Sequence, residues 1–567
     1  MRRRGWRLGR WLIVLSLLLV GACVDIPTSG PVVEIPVPDD PAGIEIAPQP
    51  PRGGDEPAQI VEGFLLAMAN PESDFAVARA YLAGDARERW DPLAVRRIYE
   101  GSVVEEGGRA LVRGRMIGSL DSTGRFSAGD EQLSHDFGLV EEQGQWRIAA
   151  PPEGVLVSRY LFERFYAPVS IYFLDPTGRH VVPDQLIVPE AELTPETIVR
   201  ALMDGPSSAL VPVVTNAVPS GVSLGAGGAT IDSDGVVTVE FANLDQAMDA
   251  EARRRLGAQL LWSLTAIPRT TGLRVTSNGW PFALPGQSAA GVLELATQQS
   301  YSVLAKATAQ DLYAIVDGRP GVLGDSGRFV PLAEEVPPGA ELAVSLSGEE
   351  WALVGEDRAS LWVQRGADPA RVDVALSGLR DLQWVSGTLY GLGEDASGRT
   401  RLLDVGAENA VALQDVALPE GTQLEHMSIN PSGGSAAVIL SRGGNTAFGR
   451  MTLTVAGSLT AFQSVPLVAP DGAAITDFDG LEWSSESSLV VLARSEREQG
   501  VFVVRSDGSR VEELASVEGT VVAVAALPRQ GGGLVALLGD GGTVWIYSAP
   551  NRWSRWEPGA TALTYAS

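Results

Sequence analysis

The chain has almost no cysteine and very little histidine. Its single cysteine among 567 residues is Cys23, so no disulfide can form within the chain, and its domains must be held by buried cores instead of covalent staples. The histidines His135, His180 and His426 stand apart, without the His-x-x-x-His or Glu-x-x-His spacing that gives a metal ion its first ligands. The sequence therefore predicts no disulfide framework, no metal and no cofactor.

Positive charge is also scarce. Lys and Arg number 43 against 70 Asp and Glu, a net charge of −27, and cleavage after residue 22 would remove five arginines and no acid. An acidic surface repels phosphates and anionic headgroups, and no basic stretch interleaved with aromatic residues offsets it. We therefore expect no nucleic acid partner, and membrane contact must come from an anchor.

The start of the chain has the pattern of a signal peptide. Five arginines precede the apolar run Trp11–Val20, which is followed by the small residues Gly21 and Ala22 and then by Cys23. The apolar run is shorter than the roughly 20 residues that a membrane-spanning helix requires. Residues 1–22 are therefore expected to be a cleaved signal peptide.

The string Val20-Gly21-Ala22-Cys23 resembles a bacterial lipobox. The resemblance implies cleavage between Ala22 and Cys23, with Cys23 becoming an S-diacylglycerol cysteine and an N-palmitoyl cysteine. Val20 departs from the commonest residue at its place, Leu. An ordinary secretory signal with a chance cysteine is the alternative. The lipoprotein interpretation places the mature chain on the extracytoplasmic face of the cell membrane, held by acyl chains that together give a stable anchor.

Composition divides the remainder into four stretches. Residues 23–54 contain eight prolines, which predicts an extended tether. In 55–164, two helical patterns precede alternating strands, an order that resembles the nuclear-transport-factor-two-like cone fold. In 165–285, Thr194 and Pro195 begin a helix that Gly205 ends, among further strands and a long helix ending at Pro268, which indicates an α/β domain.

Helical patterning disappears after about residue 300. Short apolar strands and glycine turns repeat every ~40 to 55 residues, the range for four-stranded propeller blades. The clearest copies are Trp351–Val354, Leu389–Leu392, Ala437–Leu440, Leu489–Leu492 and Leu534–Leu537. This repeat predicts that residues 300–567 form a β-propeller of five to seven blades, with two β-sandwiches as the alternative. The whole is a multidomain protein of α+β and all-β class.

No catalytic constellation is visible. His135 and Asp136 are neighbours on a predicted strand, where successive side chains point to opposite faces. The acidic stretch Asp232–Gly235 lacks the further ligands of a calcium loop and is better explained as a hairpin turn. Trp553 and Trp556 are candidate exposed binding residues. We expect a protein that is not an enzyme.

Taken together, the residues resemble the lipoprotein LpqB family of Gram-positive bacteria. The resemblance starts at the lipobox and the string Ile26–Pro31, and it ends with the propeller. Its most specific part lies in residues 165–285, which resemble a GerMN domain through Leu202-x-x-Gly205-Pro206, Ala217-Val218-Pro219-x-Gly221, Gly235–Val239 and Gln259–Thr265.

The family resemblance implies a membrane-anchored accessory protein that binds the extracytoplasmic domain of the sensor histidine kinase MtrB. Such a protein affects cell-wall homeostasis, division and morphology. The alternative is a protein that binds or processes cell-wall glycans. The resemblance supplies no catalytic residue, and Cys23 is the one position to which it assigns chemistry.

Replacing the lipidated residue tests the anchor. Cys23→Ala is expected to release the chain from the membrane fraction without changing its circular dichroism spectrum, because the thiol that accepts the lipid is lost while the domains begin after residue 54. Ser29→Ala, in the same tether, should stay membrane-bound. If unlipidated Cys23→Ala protein stayed firmly in the membrane fraction, the anchor would be an uncleaved helix.

Overall fold

The computed structural model describes residues 48–70, 72–305, 309–324, 327–333, 335–496, 498–529, 533–548 and 552–567. The signal segment, Ala22, Cys23 and the tether up to residue 47 lie outside the described residues. Contacts separate Met1–Pro48 from a second unit, Gln49–Ser567. Within the second unit, three domains follow one another along the chain.

The amino-terminal domain packs helices on a curved sheet. Helix α1 begins at Pro57, whose fixed φ suits a first helical position, and Glu56 and Gln59 form a capping box around it. Its apolar face, which includes Phe64, enters a core shared with the sheet, whose order is β3-β2-β1-β6. The elements are α1 (Pro57–Met68), α2 (Glu72–Ala80), α3 (Gly84–Arg89), β1 (Arg96–Glu106), β2 (Arg109–Leu120), β3 (Phe126–Asp136), β4 (Leu139–Glu142), β5 (Gln145–Ile148), β6 (Val155–Ser158) and α4 (Arg159–Phe165).

The middle domain combines a hairpin, two helices and a second sheet. Thr194 caps the helix that starts at Pro195, and Gly205 ends it with φ of 92°, as the sequence predicts. The long helix ends at Leu264, before the predicted stop at Pro268, because the chain turns after Thr265. The elements are β7 (Tyr166–Leu174), β8 (Val181–Pro189), α5 (Pro195–Asp204), β9 (Ser223–Ile231), β10 (Val236–Ala242), α6 (Ala250–Leu264), β11 (Gly272–Ser277), β12 (Trp280–Pro281) and β13 (Leu293–Glu294).

The third domain is a propeller, as predicted, and not a pair of sandwiches. In the part of the chain that the structure describes, it has six four-stranded blades. Blade 1 contains β14 (Leu312–Val316), β15 (Arg319–Leu323), β16 (Phe329–Pro331) and β37 (Ala560–Tyr565), and blade 2 contains β17 (Gly339–Val344), β18 (Trp351–Gly355), β19 (Leu361–Gln364) and β20 (Ala370–Val372). Blade 3 contains β21 (Ser377–Val385), β22 (Thr388–Glu394), β23 (Thr400–Val405) and β24 (Val411–Asp415), and blade 4 contains β25 (Gln423–Ile429), β26 (Ser435–Arg442), β27 (Asn445–Leu453) and β28 (Leu459–Ser464). Blade 5 contains β29 (Ile475–Trp483), β30 (Ser488–Ser495), β31 (Glu498–Arg505) and β32 (Val511–Glu513), and blade 6 contains β33 (Val521–Leu527), β34 (Leu534–Gly539), β35 (Val544–Ser548) and β36 (Arg552–Trp556).

Strand β37 closes the ring of blades. It pairs with β14 and lies beside β17 and β33, the first strands of the neighbouring blades, so it takes the innermost place in blade 1. The multidomain α+β and all-β fold class predicted from the sequence is confirmed: a small amino-terminal domain, an α/β middle domain and a propeller.

Side chains of one blade bind the backbone of the next. The Glu341 Oε1 atom accepts a hydrogen bond from the Leu382 N–H at 2.7 Å, and Asp381 Oδ2 accepts one from Met427 N–H at 2.8 Å. The Gln383 amide bonds both the N–H and the C=O of Ile429, each at 2.7 Å. These bonds satisfy backbone groups at the inner edges of the sheets, where a lone strand edge would be unpaired.

An acidic ring lies on the inner strands of four successive blades, formed by Glu341, Asp381, His426 and Glu482. Burial raises the pKa of Glu482 to about 8 and the pKa of Glu341 to about 7, and the charge of Asp381 adds to both shifts. Burial lowers the pKa of His426, but its hydrogen bond to Asp381 and the charge of Asp381 outweigh this, so the net shift is upward.

The ring predicts a pH-dependent stability. In the folded state Glu482 keeps its proton to about pH 8, whereas in the unfolded chain it loses it near its ordinary pKa of 4.5. The folded state therefore binds more protons between these values, and stability falls as the pH rises through this window. Glu482→Gln should flatten this slope by up to about 1.4 kcal/mol per pH unit, measured by denaturant unfolding from pH 5 to 8.

A surface carboxylate provides the control for this measurement. Asp415, with 76% of its side chain exposed, pairs with Arg401 on blade 3, and Asp415→Asn should leave the slope unchanged. An unchanged slope in Glu482→Gln would show that the ring does not govern the pH dependence.

Candidate functional site at the junction of the three domains

Strand β8 is the element on which the three domains meet. Asp184, in the middle of this strand, is 5% exposed. Its Oδ2 atom accepts hydrogen bonds from Arg125 Nη2 of the amino-terminal domain at 2.9 Å and from the Ser207 N–H of the middle domain at 2.7 Å. Arg125 also donates to the Gly205 carbonyl oxygen at 2.8 Å. The ion pair thus fixes the amino-terminal domain to the end of helix α5.

The next residue of the strand, Gln185, binds the propeller. Its Nε2 atom donates to Ser506 Oγ at 2.7 Å and to the Ser487 carbonyl oxygen at 3.3 Å, and its Oε1 atom accepts from Arg505 Nη2 at 3.1 Å. Two adjacent residues therefore connect β8 to two different domains.

A second buried contact joins β7 to blade 5. The Tyr172 hydroxyl donates to Glu486 Oε2 at 2.8 Å, and the Glu486 carbonyl oxygen accepts from Asn430 Nδ2 at 2.9 Å. Burial raises the pKa of Glu486 to about 7, although the bond from Tyr172 opposes the shift. Burial beside this carboxylate raises the pKa of Tyr172 well above its ordinary value.

These contacts surround a cavity of about 380 Å³, here called the junction cavity. All three domains line it: Arg125 from the amino-terminal domain, Asp184 from the middle domain, and Arg450, Glu486 and Asp507 from the propeller. The carboxylates Asp184, Glu486 and Asp507 are buried, whereas other lining residues are exposed, namely Asp121, Ser127, Ser208, Ala209, Ala461 and Gln463. The cavity thus has a buried polar wall and an exposed mouth.

Buried polar atoms of the lining lack hydrogen-bond partners among the described residues. They comprise two donors, Arg125 Nε and Arg450 Nε, and two acceptors, Glu486 Oε1 and Asp507 Oδ2. Burial lowers the pKa of Arg450, although the charges of Asp507 and Asp184 oppose the shift. Native proteins pair nearly all their buried polar atoms, so four such atoms in one cavity mark it as a candidate binding site.

The histidines that the sequence singles out do not meet. His135 bonds the Ala150 carbonyl oxygen at 2.9 Å in the amino-terminal domain, His180 lies 3.7 Å from Asp175 in the middle domain, and His426 belongs to the propeller ring. Within the described ranges, no group of three or more His, Cys, Asp or Glu side chains is arranged to hold a metal ion.

The other candidate residues have structural roles or lie elsewhere. Asp232 Oδ1 accepts from the N–H groups of Asp234 and Val236, so the acidic stretch is the predicted hairpin turn. The candidate binding residues Trp553 and Trp556 are half-buried, not exposed, because both pack between blades, and the Trp553 indole N–H donates to the Ala515 carbonyl oxygen at 2.7 Å. The lipidation site Cys23 lies outside the described residues.

The junction is not visible in the sequence. Its members come from distant parts of the chain, and no motif connects Arg125, Asp184 and Glu486. One local signal was available, because Asp184 and Gln185 interrupt the apolar run Val181–Val188. A carboxylate in a strand buried on both faces requires a partner, which indicates a contact with another domain.

Family models match three stretches of the chain. The model "Lipoprotein LpqB, N-terminal domain" matches residues 50–163, "Sporulation and spore germination" matches residues 170–282, and "Lipoprotein LpqB beta-propeller domain" matches residues 325–563. In the described part of the chain, no helix has both the length and the apolar character to cross a membrane.

Whole-chain relatives carry the same name. A protein from Cutibacterium acnes named lipoprotein LpqB is 29% identical, and the match covers 98% of each chain. One from Rhodococcus jostii, also named lipoprotein LpqB, is 27% identical over 90% of this chain and 89% of its own. Among solved structures, the tandem GerMN domains of the sporulation protein GerM from Bacillus subtilis match 28% of this chain and 58% of theirs, at 17% identity and a TM-score of 0.20.

Breaking the ion pair on β8 tests the junction. Asp184→Asn removes the charge opposite Arg125 while nearly keeping the side-chain shape, and it should lower the free energy of unfolding by about 3 kcal/mol, because the partly buried Arg125 guanidinium is left uncompensated. Denaturant unfolding measures the loss, and limited proteolysis should show earlier cleavage between the amino-terminal and middle domains.

The matched control is Asp130→Asn. Asp130 pairs with Arg115 at 3.1 Å on the neighbouring sheet with 47% of its side chain exposed, and its loss should cost less than about 1 kcal/mol. Equal losses in the two variants would contradict a special role for the Asp184 pair.

Proposed function

The chain belongs to the lipoprotein LpqB family, and from this we propose that it is a non-enzymatic accessory protein, anchored through Cys23 to the outer face of the cell membrane, that binds and modulates the sensor domain of the histidine kinase MtrB. Through this kinase it affects cell-wall homeostasis, division and morphology.

The observation that carries the proposal is the joining of three domains into one body. The buried bonds of Asp184, Gln185 and Tyr172 fix the amino-terminal domain, the middle domain and the propeller against each other. A pre-organised body loses little entropy on binding, so a partner can span more than one domain at low cost.

A lipid anchor makes modest affinity sufficient. An anchor at Cys23 and the proline-rich residues 24–54 would hold the three domains within a short distance of the membrane. Tethering two partners to one surface raises their effective concentration to the millimolar range for short linkers. The kinase sensor domain, which lies on the same face of the membrane, is then captured by a weak interface.

The middle domain offers a candidate contact residue. Trp280 lies on the short strand β12, after the turn at Asn278 and Gly279, and is 75% exposed. Tryptophan is enriched at the energetic centres of protein interfaces, and an indole so far out of the core contributes little to the fold. Within the body described above, Trp280 is therefore the residue we assign to the kinase contact.

The test is recovery of the kinase sensor domain by the full chain in detergent micelles. We expect binding at micromolar concentrations, weakened at least about tenfold by Trp280→Ala, because an aromatic anchor is lost. Val522→Ala, which truncates a propeller side chain that is 50% exposed, should bind like the parent. Thermal unfolding should be unchanged in both variants.

Failure to recover the sensor domain at micromolar concentrations would contradict the proposal. Recovery by peptidoglycan in place of the kinase would favour the glycan-binding alternative. If Trp280→Ala binds the sensor domain as tightly as the parent does, the contact lies on another surface of the chain, and the proposed partner still stands.

A further inference from the structure

We infer that the junction cavity is a binding site for a small zwitterion of the α-amino acid or short-peptide class. This goes beyond the proposed function and does not depend on the identity of the protein partner. It rests on the unpaired buried atoms of residues that line the cavity, on the charges of those residues, and on the volume and exposed mouth of the cavity.

The unpaired atoms call for a ligand that both donates and accepts. Arg125 Nε and Arg450 Nε are donors without acceptors, and Glu486 Oε1 and Asp507 Oδ2 are acceptors without donors. An α-carboxylate accepts from guanidinium N–H groups, and an α-ammonium group donates to carboxylates. A zwitterion supplies both groups on one small frame, through charge-assisted bonds that are stronger than neutral ones.

The same residues argue against other ligand classes. Phosphate would meet the carboxylates of Glu486 and Asp507, and a divalent cation would meet the guanidinium groups of Arg125 and Arg450. A sugar ring usually stacks on an aromatic face, but the aromatic residues of the lining, Phe126 and Trp483, are 6% and 2% exposed because they belong to hydrophobic cores.

Size and access fit a small ligand. The volume of about 380 Å³ is at the lower end of the range of roughly 300–1,000 Å³ for small-molecule sites. Exposed residues at the mouth, such as Ser208 and Ala209, leave an entrance beside the buried wall. An amino acid or dipeptide can enter, whereas a long polymer cannot be enclosed.

Such a ligand would contact two domains across their interface. Arg125 belongs to the amino-terminal domain, while Arg450, Glu486 and Asp507 belong to the propeller. A ligand bound to both adds bonds across the interface that the ligand-free protein lacks. Occupancy is therefore expected to stabilise the joined state of the domains by mass action.

Calorimetric titration of the full chain in detergent micelles tests the site. The probes are glycine, L-alanine, D-alanine and glycylglycine, and the single-charge controls are acetate and ethylamine, with glycerol and phosphate as the polyol and anion controls. We expect at least one zwitterion to bind at least about tenfold more tightly than either single-charge control, and to raise the thermal unfolding midpoint as its concentration rises.

Variants place the binding in the cavity. Asp507→Asn should weaken the zwitterion at least about tenfold by removing the charge opposite its ammonium group. Glu557→Gln removes one carboxylate from the same domain but lies outside the lining, with 70% of its side chain exposed, and should bind like the parent. Ala209→Trp fills the mouth from an exposed position and should block binding even if Asp507→Asn fails to fold.

Several outcomes would overturn the inference. These are no zwitterion binding above the single-charge controls, binding only of phosphate or glycerol, or unchanged zwitterion binding in a folded Ala209→Trp protein. Recovery of the kinase sensor domain is measured in a separate experiment. Failure of zwitterion binding therefore does not affect the kinase result, and failure of kinase recovery does not affect the zwitterion result.

Discussion

The carboxylate of Asp184 is the group on which the arrangement of the domains depends. It is buried in a strand of the middle domain, it neutralises Arg125 of the amino-terminal domain, and its neighbour Gln185 binds the propeller. A chain with one cysteine has no covalent means of fixing its domains to each other. Directional bonds to buried polar groups take over that role, because apolar contacts alone set no unique orientation between domains.

Within the propeller, directional polar bonds likewise join one blade to the next. The apolar cores of the propeller lie between neighbouring blades, and the inner strands are also joined by polar side chains that reach the backbone of the next blade, as Glu341 does to Leu382 and Gln383 does to Ile429. Closure by β37 then leaves no open end in the ring. This arrangement places carboxylates close together at the inner strands, where burial and the charge of Asp381 raise the pKa of Glu341 to about 7 and the pKa of Glu482 to about 8.

Local signals in the sequence predicted local structure well. Thr194, Pro195 and Gly205 define both ends of α5, and the acidic hairpin turn at Asp232 has the predicted form, because each of these features depends on residues a few positions apart. The blade repeats indicated a propeller, yet their spacing allowed five to seven blades. The number follows from the pairing of β37 with β14, which joins residues about 250 positions apart.

The candidate site could not be predicted in the same way. The cavity exists because β8 lies between two other domains, and no spacing rule relates Arg125 to Glu486 or Asp507. Trp553 illustrates the opposite error. An aromatic residue near the end of the chain resembles an exposed contact in the sequence, but blade packing half-buries it.

The charged composition of the junction itself needs a reason. Buried ion pairs are often no more stabilising than apolar residues of the same volume, so Arg125, Asp184, Arg450 and Asp507 are a poor choice if stability alone is required. They do give orientation, which explains Asp184 and its bonded partners. Four atoms of the lining remain unpaired, however, and orientation does not account for them: Arg125 Nε, Arg450 Nε, Glu486 Oε1 and Asp507 Oδ2. A complementary ligand would account for these atoms, and it would make the junction a place where a small molecule acts on the contact between domains.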